Sequence, residues 1–327
     1  MTDWIKRLTL FNLSLGIVAW LFLLVMNLNQ WSYLAQIHLL ILFGIGILTP
    51  LSFRLSIPEK DDQVIQQLAR LILLTQPIIP VLAVISLLME MGNLAGLLAF
   101  GWFGQTGLMA LFGLMRWWKR PSHQLEELCV DVGLVLSSVS GIWFFFYRLS
   151  GEFFGFTGVL VPLTAAHFVT IGMGALIIAG MMGQQLRTMG NLTQIYRGIA
   201  WLTIISPFIV ATGITLTNLM GVVSLIEVIG VVLLATSFVT LAGYYLIRIR
   251  VSIKQPLANL FLTLSAVTLF ITMALALGYS VGRFTDLFHF SIPDMVQWHG
   301  WLNALGFAGL GIIGWSLVGN EVHQNSK

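Results

Sequence analysis

Apolar residues run along this chain in blocks of about twenty, separated by short polar intervals. Segments long enough to cross a bilayer as helices cover residues 8–27, 33–51, 71–90, 93–115, 128–149, 157–182, 197–218, 221–247, 257–281 and 294–318. No polar interval between them is long enough to build a soluble core. The pattern predicts one integral membrane domain over residues 1–327, an all-α polytopic transmembrane helical bundle of about ten spans. The first run, behind Lys6 and Arg7, lacks a small-residue cleavage site and reads as an uncleaved span. Pro77 and Pro80 should bend the third span and Pro207 the seventh. In the longest loop, Pro58-Glu59-Lys60-Asp61-Asp62 reads as the start of a helix leading into the third span.

Composition agrees with that pattern: 57% of the residues are hydrophobic and 9% charged, which places the chain in the membrane class. Of the 16 lysines and arginines, all but Arg148 and Arg283 fall on one side when ten spans alternate. That asymmetry puts both termini in the cytoplasm and supports the count, since one span more or fewer would scramble it. The net charge of +3 is spread singly over the loops, as a topology signal is and a nucleic-acid surface is not. The basic linkers after the fourth and eighth spans read as solvated charges. Cys129 is the single cysteine, so there is no CxxCH motif and no covalent c-type haem.

Three histidines lie inside apolar runs: His38, His167 and His299. The spacings are nearly equal: 167 minus 38 is 129, and 299 minus 167 is 132. All three spans run in the same direction. At 1.5 Å per residue, His38 lies roughly 8 Å, His167 roughly 15 Å and His299 roughly 8 Å below the outer end of its helix, the last with Pro293 and Asp294 in the first turn. An ionisable group at such depth marks a functional site by default. Neutral imidazole most often ligates a metal or a tetrapyrrole. The plain alternative is a hydrogen bond to a neighbouring helix. Absence of HxH, HxxH and HxxxH pairs disfavours a zinc or mononuclear copper site on one helix.

Other intramembrane polar groups are weighed beside them. Glu227, roughly 9 Å into the eighth span, suits a proton carrier, a ligand partner or a salt-bridge acid. Asn303, one helical turn after His299, suits orienting a ligand or bridging two helices. Asp131 near the inner end of the fifth span reads as solvated. Arg148, Glu152, Arg283, Asp286 and Asp294 sit at the outer surface, the arginines either in rim ion pairs or against haem propionates. His123, His289 and His323 read as surface residues, and Met173, Met181 and Met182 as packing. Glycines within the spans, among them Gly44, Gly46, Gly172, Gly174, Gly306 and Gly311, allow close helix contact, as do Ala175/Ala179 and Ala304/Ala308.

Two stretches carry a resemblance. Pro162-Leu163-Thr164-Ala165-Ala166-His167-Phe168 with its Gly/Ala-rich continuation, and Trp298-His299-Gly300-Trp301-Leu302-Asn303-Ala304-Leu305-Gly306-Phe307, resemble the paired signatures of the bacterial YndJ-like membrane proteins. At position 169, where that family often has a second histidine, this chain has Val169. More distantly, histidines on spans two, six and ten are similar to those of haem-copper oxidases and NnrS-type haem proteins. That resemblance implies His38 and His299 as axial ligands of a b-type haem, with His167 facing a second site. The copper-site histidine pair expected on span seven is absent, so a complete oxidase is not implied; whether the chain is an enzyme is left open, with this absence weighing against it.

The sequence thus points to a multi-pass protein of the bacterial inner membrane with a b-type haem for electron transfer or gas and redox sensing, served by a redox partner or membrane subunit. A transporter or channel for a small solute or metal ion is the alternative, with Glu227 and the histidines beside proline-broken helices. A structural or assembly subunit is the third.

Overall fold

The computed structural model describes residues 3–58, 62–287 and 289–324; Glu59, Lys60, Asp61 and Lys327 lie outside the described residues, as does the side chain of His323. Long apolar helices dominate: α1 (Asp3–Asn27), α2 (Tyr33–Ser56), α3 (Gln63–Thr75), α4 (Ile78–Leu88), α5 (Asn93–Lys119), α6 (Leu125–Leu149), α7 (Leu160–Thr188), α8 (Gln194–Met220), α9 (Leu225–Ser252), α10 (Pro256–Thr285) and α11 (Ile292–Val318). Among the described residues nine helices are long and apolar enough to span a bilayer. The bent pair of α3 and α4 makes a tenth if counted as one broken span. A two-stranded hairpin, β1 (Glu152–Phe153) with β2 (Phe156–Thr157), joins α6 to α7. The helices fall into two compact units. The first holds α1 to α5, α6 from Val130 and α7 to Ile177; the second holds the first turn of α6, the rest of α7 and α8 to α11.

In the first unit α3 and α4 meet at 43°. Pro77 has no N–H to give the Leu73 carbonyl four residues earlier. Asn12 Nδ2 from α1 donates to that oxygen instead, at 3.0 Å. A second orphan sits in α2, which is π-helical over Gly44–Leu48, with Thr49 N–H bonded to Gly44 O five residues back. In that register Ile45 O would need the N–H of residue 50, and residue 50 is proline. Gln76 Nε2 donates to Ile45 O at 3.0 Å, and Gln105 Nε2 bridges Gln76 Oε1 and Ile72 O, both at 2.9 Å. Asn12, Gln76 and Gln105 are all buried. Proline inside a membrane helix is tolerated when neighbours serve the freed backbone groups in this way. The predicted bend at Pro77 and Pro80 is present, whereas α8 continues through Pro207.

Several helix starts lie earlier than the hydrophobic runs suggest, and the polar residues near them move inward accordingly. Helix α6 begins at Leu125, so Asp131 is almost two turns inside it and buried, paired with Arg116 at 3.2 Å and Arg120 at 2.9 Å. It is not a solvated interfacial acid, and Arg54, Arg116 and Arg120 are buried or nearly so rather than free topology charges. Asp62 caps α3, its carboxylate accepting from Val64 N–H, and binds Lys119 Nζ at 2.8 Å.

In the second unit α8 and α9 form a tight hairpin. A Cβ on Gly213 would stand 2.3 Å from both the Cα and the N of Glu227, so glycine is required for the helices to approach. Near the other ends, buried Glu126 pairs with Arg187 and buried Tyr196 donates to Ala179 O at 2.9 Å.

Candidate functional site

Each of the three histidine helices departs from α-helical register close to its histidine. In α2 the π segment Gly44–Leu48 begins six residues after His38. In α7 it is Ile171–Leu176, four residues after His167. In α11 it covers Met295–Gly300 and Leu302–Gly309, with His299 inside. A further π turn, Tyr245–Ile249 in α9, carries no histidine. Single-turn π segments cluster at functional sites, and those on the histidine helices contain glycine whereas Tyr245–Ile249 does not. Polar side chains occupy carbonyls of these segments: Gln76 on Ile45, Ser52 on Met173, and Ser265 on Phe307 at 2.7 Å. The glycine-rich stretches therefore do more than let helices touch.

His38, half-buried on α2, places Nε2 2.7 Å from the Tyr147 hydroxyl of α6. Beside it Arg148 is 3% exposed, which corrects the expectation of a surface arginine. Its Nη2 donates to Ser86 O at 2.8 Å and Met89 O at 2.6 Å, closing the C-terminal end of α4, where a cation also suits the helix dipole. The guanidinium lies 5.2 Å from the centre of the Tyr147 ring, within cation–π range. Position 147 carries no mark in the local sequence pattern; only the pairing of α2 with α6 reveals it.

His299, 9% exposed, bonds the backbone with one nitrogen and a side chain with the other. Nδ1 lies 2.9 Å from Thr272 O, and Nε2 lies 2.9 Å from Asn303 Nδ2. A carbonyl only accepts, so Nδ1 carries the proton and Nε2 accepts from the amide. The Asn303 amide holds the histidine of its own helix.

His167 does not join either group. It is exposed on α7, with Nδ1 2.8 Å from Leu163 O one turn back on its own helix. Glu227 is 3% exposed, but α9 begins at Leu225, so it lies in the first turn and not deep in the span. Its N–H bonds the capping hydroxyl of Ser224 at 3.1 Å, its Oε2 accepts from Thr217 at 2.5 Å and its Oε1 from Arg283 at 3.1 Å. Of the roles open to it in the sequence, this geometry is the salt-bridge acid. His123 and His289 are exposed, and Asp294 is spent on a capping box with Ser291.

At His38 and at His299 the nitrogen that a haem iron would bind already has a polar neighbour. The Nε2 atoms of His38 and His299 face Tyr147 and Asn303, and no group of three or more His, Cys, Asp or Glu side chains able to hold a metal ion occurs among the described residues. Two clefts, of about 250 Å³ at Asn259 and about 350 Å³ at Phe100, have no histidine in their walls.

The profile of the YndJ-like protein family matches residues 39–307, most of the chain. The chain belongs to the YndJ-like family. A relative in Bacillus subtilis (strain 168), described as "Uncharacterized membrane protein YndJ", is 29% identical over 283 residues, which is 86% of this chain and 48% of that protein. The chain thus spans about half the length of this YndJ relative. No solved structure matches. Family membership and the apolar helices together make this an integral, multi-pass membrane protein. The family match runs from the residue after His38 to four residues beyond Asn303, so it covers both α7 and most of α11, the helices whose signatures carry the resemblance.

Proposed function

We propose that this YndJ-like module conducts protons, or a small solute coupled to them, across the bilayer, with His38 as the exchanging group and Tyr147 as its partner. The observation that carries this reading is the 2.7 Å contact between His38 Nε2 and the Tyr147 hydroxyl. A hydroxyl donates to a neutral imidazole and accepts from a protonated one, so His38 can gain and lose a proton without losing its bond. An intramembrane histidine with a partner of either polarity is suited to relay. The proline-broken pair α3 and α4, in the same unit, is the kind of discontinuous helix found beside transport pathways. The distribution of basic residues along the sequence favours an orientation in which His38 lies toward the outer half of a bacterial inner membrane.

The test is flux in proteoliposomes. With an imposed pH gradient and an internal pH dye, wild-type vesicles are expected to collapse the gradient faster than empty ones. Both His38→Ala and Tyr147→Phe are expected to slow that collapse at least ~10-fold, as loss of a proton-transfer group does. A wild type no faster than empty vesicles, or a His38→Ala variant at full rate, overturns the proposal.

A second reading rests on His299. Its Nδ1–H bonded to a carbonyl, with the lone pair on Nε2, is the arrangement that ligating histidines adopt. A b-type haem there would have to displace Asn303 from Nε2. Electron transfer, gas or redox sensing and a redox partner all stand or fall with that haem. Absorption spectra of the purified protein, oxidised and dithionite-reduced, decide it: a Soret band with sharp α and β bands lost in His299→Ala supports haem, and a colourless protein that takes up none removes the reading.

A further inference from the structure

We propose that the tip of the β1–β2 hairpin, Phe154, is an anchor that inserts into the interfacial layer of the bilayer. The turn between Phe153 and Phe156 has two residues, Phe154 and Gly155, with φ of +52° and +75°. Positive φ at both positions makes it a type I′ turn, where Asn-Gly is the usual pair. Gly155 suits its place. Phe154 does not, because a bulky side chain in the left-handed region is strained.

Among the described residues, no burial of the Phe154 ring offsets that strain. Phe154 is 78% exposed, and its ring meets only the edge of Phe153, centroids 4.7 Å apart, among the described aromatic contacts. The hairpin does not stand clear of the helices. Phe153 stacks on Phe146 at 4.2 Å and Phe156 meets Trp143 edge-on at 5.3 Å. Trp143 lies six residues before the end of α6, roughly 9 Å down the helix axis. The strands therefore fold back along the outer turns of a membrane span, at the depth where aromatic belts form. A strained, outward-turned ring at that level finds its compensating burial among lipid headgroups and the first acyl carbons. The inference stands apart from the proton reading and would survive its failure.

Site-directed spin labelling tests it. Cys129 is fully buried, so the wild type supplies an unlabelled blank, and Phe154→Cys carries a nitroxide at the tip. Asp286→Cys, at a side chain 89% exposed, gives the aqueous reference. With the protein in phosphatidylcholine/phosphatidylglycerol vesicles, the label at 154 is expected to collide several-fold more with oxygen, relative to a water-soluble nickel chelate, than the label at 286. A collision ratio equal to that at 286 places the tip in water and overturns the proposal. An immobilised label reached by neither reagent places it against protein and overturns it as well. A second variant, Phe154→Asn, keeps the turn and removes the ring; it is expected to fold and to weaken lipid-dependent protection of the hairpin from protease, and unchanged protection overturns the anchor.

Discussion

Two buried polar regions of the first unit spend their hydrogen bonds differently. Around the α3–α4 break, Asn12 and Gln76 bind backbone carbonyls left over by Pro77 and by the π turn before Pro50, and Gln105 braces Gln76 from Ile72 O. His38 and Tyr147 bind each other. In a membrane, a side chain that serves an orphaned carbonyl cannot let go without exposing it. A pair of side chains can exchange donor and acceptor and remain bonded. The first arrangement is suited to holding a fold and the second to passing a proton. His299 stands between them, one nitrogen on the Thr272 backbone and the other on an amide that can only donate from the atom it presents.

The largest effect should come from breaking the first kind of region. Gln76→Leu strips a donor from Ile45 O and an acceptor from the Gln105 amide, both in the buried core. A buried polar group left unsatisfied costs about 1–3 kcal/mol, so two together should lower unfolding stability by about 3 kcal/mol, read as a fall in the thermal midpoint of purified protein. Gln76→Glu would not rescue it, because a carboxylate offers no donor to Ile45 O. Tyr147→Phe reverses the balance. Loss of one hydrogen bond to a half-buried imidazole should cost about 1 kcal/mol, while gradient collapse in vesicles falls sharply. If Tyr147→Phe proved as destabilising as Gln76→Leu and left flux unchanged, the two regions would be of one kind and the contrast would be lost.

Asn303→Leu probes the intermediate case. It should cost about 1 kcal/mol and change the environment of His299 Nε2 alone. Nitrogen NMR of the wild type should show a protonated Nδ1 and a bare Nε2, and the variant should keep that tautomer because Thr272 O still requires the Nδ1 proton. A wild type with the proton on Nε2 would mean that the Asn303 amide is turned the other way and that the carbonyl contact does not set the tautomer.

Much of this architecture is legible along the chain, and the exceptions share a physical cause. The hydrophobic runs mark every span, and Pro77 with Pro80 marks the break in one of them. Helix starts are harder, since apolar runs and helices begin at different residues: the run from 221 starts ahead of the Ser224 cap, and the run from 128 starts after the helix at Leu125. Counted from hydrophobicity alone, Glu227 therefore stands too deep and Asp131 too close to water. The π turns are not legible, because the glycines in some of them read equally as close helix contact and Tyr245–Ile249 has none. Gln76 serves Ile45, which lies 31 residues away, and His38 meets Tyr147, 109 residues away. No local pattern pairs such positions. The equal spacing of His38, His167 and His299 is regular in the sequence, yet the helices spend the three imidazoles in three ways: on a tyrosine, on their own helix and on an asparagine.

The smallest effect is one outside the spans, and it guards the interpretation of the others. Lys119 holds the Asp62 carboxyl below its usual range, first through its hydrogen bond to the ammonium and then through the Val64 N–H that the carboxylate accepts. A carboxyl whose folded-state affinity for protons is depressed adds stability above its unfolded titration range and loses it as pH falls through the folded one. The contribution should therefore be constant at neutral pH and disappear only in acid, and it should be small and salt-sensitive because both partners are partly exposed. Lys119→Met is expected to flatten the acid limb of a stability profile slightly and to leave flux between pH 6 and 8 unchanged. Any pH dependence of flux in that window then arises somewhere other than the α3 cap. Were Lys119→Met to shift the neutral-range flux profile, the titrating group would lie at the α3 cap, and the division between a fold-holding region and a proton-passing one would have to be drawn elsewhere.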